Sequence, residues 1–128
     1  NAFVTHSNPR IRSVAVAALG AIGDPASKEF LKKALNDSEP NVQWGSALSL
    51  AQMGDASGKE TVIKLLNRNY LQSFAEVDPQ EINHIMLTTL QAASVLNDSE
   101  INEAVKVLAE SDPNMKIRSA AMEYIKKN

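Results

Sequence analysis

Residues 18–37 read ALGAIGDPASKEFLKKALND, and Ser49–Arg68 read SLAQMGDASGKETVIKLLNR. The two stretches say nearly the same thing 31 residues apart. Extended back to the prolines, Pro9–Asp37 and Pro40–Arg68 share nine identities over 29 positions without a gap. These are Pro9/Pro40, Leu19/Leu50, Gly23/Gly54, Asp24/Asp55, Lys28/Lys59, Glu29/Glu60, Lys33/Lys64, Leu35/Leu66 and Asn36/Asn67. Ile11/Val42, Ile22/Met53 and Leu31/Val62 keep apolar character. Self-similarity at such a period marks a unit that buries its apolar face only against a neighbouring unit.

Each unit reads as two helices. In the first, Ile11, Val14, Ala15, Ala18, Leu19 and Ile22 follow the spacing of one buried helical face. Gly23 is a stop in the left-handed region, Asp24 a cap for the next helix, and Pro25 its first residue. Phe30, Leu31, Ala34 and Leu35 then face inward, leaving Lys28, Glu29, Lys32 and Lys33 for solvent. The second unit repeats this with Val42, Leu48, Leu50 and Met53, then Val62, Leu65 and Leu66. All five prolines follow a polar residue at an expected helix start, where the missing amide hydrogen has no intrahelical partner anyway.

A weaker third unit follows, with Ile82, Ile85, Met86, Thr89, Leu90 and Ala93 on one face. The turn NDSE at 97–100 leads to Ile101, Ala104, Val105 and Leu108 on the other. DPNMKIRSAAMEYIKK echoes the opening NPRIRSVAVAAL and supplies a closing helix. The expectation is therefore seven helices, three hairpins plus one, in a single domain over 1–128, with units at about 8–37, 39–69, 78–110 and 112–128. About nine extra residues within NRNYLQSFAEVDPQ (67–80) break the period. They are expected to prolong the second unit's last helix and then form a long loop. The chain opens on Asn1 rather than Met, which points to processing or to a longer parent. Ala2, Phe3 and Val4 read as a remnant of, or a cap for, something upstream.

Bulk properties narrow the function classes. Across 128 residues, alanine, leucine and isoleucine carry most of the apolar content, which favours helices. The net charge of -2 gives no general affinity for nucleic acid or anionic lipid. The absence of cysteine removes disulfides and thiolate chemistry but leaves the compartment open between cytosol and an exported form. No apolar run reaches bilayer-spanning length.

The stretches NPRIRSVAVAALGAIGD and EPNVQWGSALSLAQMGD resemble HEAT-like repeats, specifically the short bacterial type also found in phycobilin lyases. Arg12 and Arg118 match that family's arginine position, whereas Gln43 and Asn83 do not, so the usual polar ladder along the stack is incomplete. The resemblance covers nearly the whole chain and is loosest over 67–97. It implies an all-α, right-handed α-solenoid with first helices on the convex side and second helices lining the concave side. It leaves function wide, because the same repeats serve scaffolds, lyases and nucleic-acid enzymes.

The residues show no catalytic constellation. His6 and His84 have no second ligand at metal-binding spacing, so no metal or cofactor is expected. GAIGD joins helix to helix and lacks the spacing of a dinucleotide loop. Asp24, Asp55 and Asp98 stand at helix starts, where capping accounts for them. The second helices carry the more informative charges. In a solenoid Lys28 neighbours Lys59 and Lys33 neighbours Lys64, which with Lys32 and Arg68 biases that face towards positive. Trp44 stands where the other units carry Ser13 and Ser119; it reads either as a plug between units or as an exposed anchor for a partner. Tyr70 and Phe74 lie in the period-breaking insertion, where individual function tends to sit.

The expected function is thus a monomeric, non-enzymatic scaffold that binds a protein or acidic peptide on the concave face. The candidate binding residues are Lys28, Lys32, Lys59, Lys64, Arg68, Trp44, Tyr70 and Phe74. A lyase or nucleic-acid glycosylase on the same repeats would need a deep pocket with convergent polar groups. A purely structural segment of a longer solenoid would show apolar, exposed faces on its outer helices.

Overall fold

The computed structural model describes residue 3 and residues 6–128. Ala2 and Val4, read above as part of an upstream remnant or cap, lie outside the described residues, and Phe3 is exposed. Among the described residues there are eight α-helices and no strand. They are α1 (Pro9–Ile22), α2 (Lys28–Ala34), α3 (Pro40–Gln52), α4 (Lys59–Leu65), α5 (Arg68–Gln72), α6 (Pro79–Ala93), α7 (Ser99–Ser111) and α8 (Met115–Lys127).

The punctuation read from the sequence sets the helix ends. Gly23 (φ 72°) and Gly54 (φ 78°) occupy the left-handed region that side chains disfavour. The Gly23 amide closes α1 on the Leu19 carbonyl at 3.0 Å. Asp24 and Asp55 accept from the amides of Ala26 and Ser57, at 3.0 and 2.8 Å. Each caps a one-turn 3₁₀ segment (Pro25–Ser27, Ala56–Gly58) that precedes the α-helix proper. Asp78 and Asp98 cap α6 and α7. Pro113 departs from the expected pattern: it stands one residue before Asn114, whose side chain caps α8.

The eighth helix is the correction. The insertion does not prolong α4. Asn67 leaves the helical conformation, its Oδ1 accepts from the Tyr70 amide at 3.3 Å, and α5 starts anew. An asparagine at this point offers the backbone an alternative to continuing the helix.

The fold divides into two compact units, Asn1–Thr61 and Val62–Asn128, with the boundary inside α4. In the first, α3 packs on α1 and α2 around Ala15, Val16, Leu31, Ala34, Val42 and Leu50. The α1–α3 contact is close. Ser49 Oγ donates to the Val16 carbonyl at 2.7 Å, and a Cβ on Gly20 would stand 2.9 Å from Ser49 Cα. In the second unit α8 packs on α6 and α7, burying Met86, Leu90, Ile101, Val105, Ile117 and Ala121. Tyr124 is buried there as well. Its hydroxyl donates to Asn102 Oδ1 at 2.6 Å, and burial together with the Asp98 charge pushes its pKa up.

The buried face of α1 differs from the expected stripe. Ile11, Ala15 and Leu19 are wholly or partly buried, but Val14 and Ile22 are 67% and 73% exposed and Ala18 is exposed too. Val16 and Gly20 take the buried places. The helix has two working flanks, and α3 covers the one that carries Val16 and Gly20. Phe30, expected inward, is 38% exposed on α2.

Candidate functional site

The second-helix side of the first unit carries three of the candidate lysines. Lys28 opens α2 and Lys32 stands one turn on, so their side chains share a face. Both ammonium groups lie 3.9 Å from Asp55 Oδ2, and Lys32 is also 3.9 Å from Glu29. Hydrogen bonds from the Ser57 hydroxyl and amide hold the Asp55 carboxyl below its ordinary pKa. Burial opposes them, and the charges of Lys32 and Lys28 add to them. Lys59 is half-buried at the first position of α4.

In the second unit Lys64 is exposed on the last turn of α4, with its Nζ 5.9 Å above the centre of the Tyr70 ring. Tyr70 and Phe74, both half-buried, meet edge to face at 5.2 Å. Beside them the end of α4, α5 and α7 bound an open groove of about 600 Å³. Ile63, Leu66, Ala104 and Val107 supply its apolar wall, and Asn69, Gln72 and Ser111 its polar one.

Two candidates leave the list. Trp44 is 5% exposed, so it is an interior side chain and not a surface anchor. The reason is that α3 is buried over most of its circumference, with Val42, Ser46, Ala47, Ser49, Leu50 and Ala51 buried as well. Arg68 lines the groove beside α5, but its guanidinium is engaged within the fold. Its Nε and Nη2 bond both carboxylate oxygens of Asp112 at 3.1 and 2.9 Å, and Nη2 also donates to Asn83 Oδ1 at 2.9 Å. Asp112 is buried, with its side chain 2% exposed, so the pair is committed to the fold.

The polar ladder is present in altered form. In the first unit Arg12 Nε and Nη2 bond Asp37 at 2.8 and 3.0 Å. Asp37 also accepts from the Glu39 amide, and its carbonyl accepts from Gln43 Nε2. In the second, Asp112 accepts from Arg68 and from the Asn114 amide, and its carbonyl accepts from Arg118 Nη1 at 2.7 Å. Gln43 and Asn83, where the expected arginines are missing, therefore both take part. The signal for this was in the alignment: Asp37 matches Arg68, a swap of acceptor for donor at the last aligned position.

His84 is exposed on α6, and His6 Nδ1 accepts from the Asn8 amide at 3.0 Å. Among the described residues no group of three or more His, Asp or Glu side chains gathers in a way that could hold a metal ion. No helix among them is long and apolar enough to cross a membrane. Compared with known proteins, residues 1–77 match the description HEAT repeats, and no curated protein matches the chain. The match takes in more than half of the sequence and contains both copies of the 31-residue unit. With its all-helical fold and capped hairpins, the chain belongs to the HEAT-repeat family.

Proposed function

We propose that the chain is a non-enzymatic protein-binding module that takes an acidic segment on its second-helix side. HEAT repeats generally mediate contacts between proteins. The observation that carries the reading is the arrangement at Asp55. Two ammonium groups share one carboxylate at a loose 3.9 Å. Each ammonium has three donors, so both retain capacity for a visiting carboxylate. Lys59 adds positive character at the start of α4 in the same unit. In the second unit, taken by itself, Lys64 stands beside the apolar surface of the Tyr70–Phe74 pair.

A labelled oligo-glutamate peptide of about ten residues is a suitable probe, because electrostatic complementarity acts mainly through such rim charges. Alanine at Lys28, Lys32, Lys59 and Lys64 together is expected to weaken its binding about tenfold at low salt, with the melting temperature nearly unchanged. Equal affinity of the two proteins, measured by fluorescence anisotropy, removes the acidic-segment reading.

A further inference from the structure

The 31-residue repeat assigns a role to the bare flank of α1. The α1–α3 contact joins two different faces. α1 contributes Val16 and Gly20; α3 contributes Gly45 and Ser49, whose atoms lie against them. Moved back by 31 residues, Gly45 and Ser49 become Val14 and Ala18, and Met53 becomes Ile22. Val14, Ala18 and Ile22 are all exposed on α1, and they include both of its large exposed apolar side chains. The uncovered stripe is thus the same face that α3 uses to sit on the helix before it.

We propose that Val14, Ala18 and Ile22 form a stacking face that receives one further helical hairpin of the same repeat type. The chemistry of the occupant follows from the existing contact. A Cβ on Gly45 would already stand 2.9 Å from Val16 Cγ2, so a glycine there makes room for a valine opposite. On α1 the corresponding residue is Val14, so the helix opposite must be small where α1 carries Val16. It must be small again one turn later, opposite Ala18, as Gly20 is opposite Ser49. The chain's own second unit has that pattern, Ala47 and Ala51. The outer face of α8 does not. The echo that aligns Ile117 with Ile11 puts Met122 and Lys126 at the two small positions. A second copy stacking through α8 would bring a long thioether and a charge to a contact built for methyl groups.

The test inserts a second copy of residues 38–68 between His6 and Ser7, which keeps the repeat register. Ile22→Glu is made in both the original and the extended chain, and urea unfolding is followed by circular dichroism. In the original chain Ile22 is exposed, and the substitution is expected to move the midpoint by less than about 0.2 M. In the extended chain it is expected to lower the midpoint by ~1 M, because a buried contact is then lost to a charge. Equal shifts in the two chains overturn the proposal. So does a midpoint of the original chain that rises with protein concentration and stops rising in Ile22→Glu, since a second copy would then be the occupant.

Discussion

The two compact units solve one structural problem with residues from different places. In the first, the arginine that grips the loop aspartate comes from the first helix of the unit: Arg12 on α1 holds Asp37 with two hydrogen bonds. In the second, the equivalent first helix, α6, offers Asn83, and the grip on Asp112 comes from Arg68 at the start of α5. The other hydrogen-bond partners of the two aspartates correspond. Each accepts from the amide two residues on, and each has its carbonyl held by the side chain six residues on, Gln43 or Arg118. The difference teaches that the break in the helix after Leu66 has a job in the fold. Arg68, the last aligned residue of the repeat and the first of α5, stands in for the arginine that α6 lacks, which ties its guanidinium to Asp112 and Asn83.

The widest gap between the two clamps should appear when each arginine is removed. Arg68→Ala leaves the Asp112 carboxylate buried without its guanidinium partner, and is expected to cost ~3 kcal/mol by chemical denaturation. Arg12→Ala exposes a less enclosed carboxylate, with Asp37 13% exposed, and is expected to lower the midpoint less. Equal losses would mean that burial does not set the difference.

A smaller effect concerns acid. Burial works against the Asp37 carboxylate, but the hydrogen bond from Arg12, the Glu39 amide and the guanidinium charge outweigh it and hold its pKa below the ordinary carboxylate value. A carboxyl with a depressed folded pKa stabilises the fold fully above the ordinary carboxylate range. That contribution fades as the pH falls through the lower, folded value. Urea midpoints measured from pH 7 down to about pH 2.5 should therefore decline less steeply on the acid side in Asp37→Asn than in the parent. Parallel profiles would show that the Arg12–Asp37 clamp adds nothing that acid can remove.

Much of this architecture is legible in the sequence, because the instructions are local. Gly23-Asp24 and Gly54-Asp55 state where helices stop and start, and the apolar spacing of α6 and α7 names residues that are buried. What periodicity does not reveal is which flank of an amphipathic helix meets a neighbour. Val14, Ala18 and Ile22 match the helical spacing as well as Val16 and Gly20 do, and only the close approach of Ser49 selects the second set. The insertion departs from the expected prolonged helix for a related reason. A cap at Asn67 interrupts the helix through one side-chain hydrogen bond, too slight a signal against a run of helix-compatible residues. Among the binding candidates, the lysines, Tyr70 and Phe74 stay at the surface or its margin. Trp44 does not, because its helix is packed on most sides, and Arg68, though 15% exposed, is tied to Asp112 and Asn83.

Arginine replacement is the central claim, and moving the arginine back to the first helix tests it most directly. Asn83 Oδ1 already lies 2.9 Å from the Arg68 guanidinium, so an arginine at position 83 can reach the space that Arg68 vacates. In an Arg68→Ala background, adding Asn83→Arg is predicted to restore roughly half of the lost stability, ~1–2 kcal/mol by urea denaturation. If the double variant is no more stable than Arg68→Ala alone, α5 does not stand in for the missing arginine, and the correspondence between the two clamps is only one of geometry.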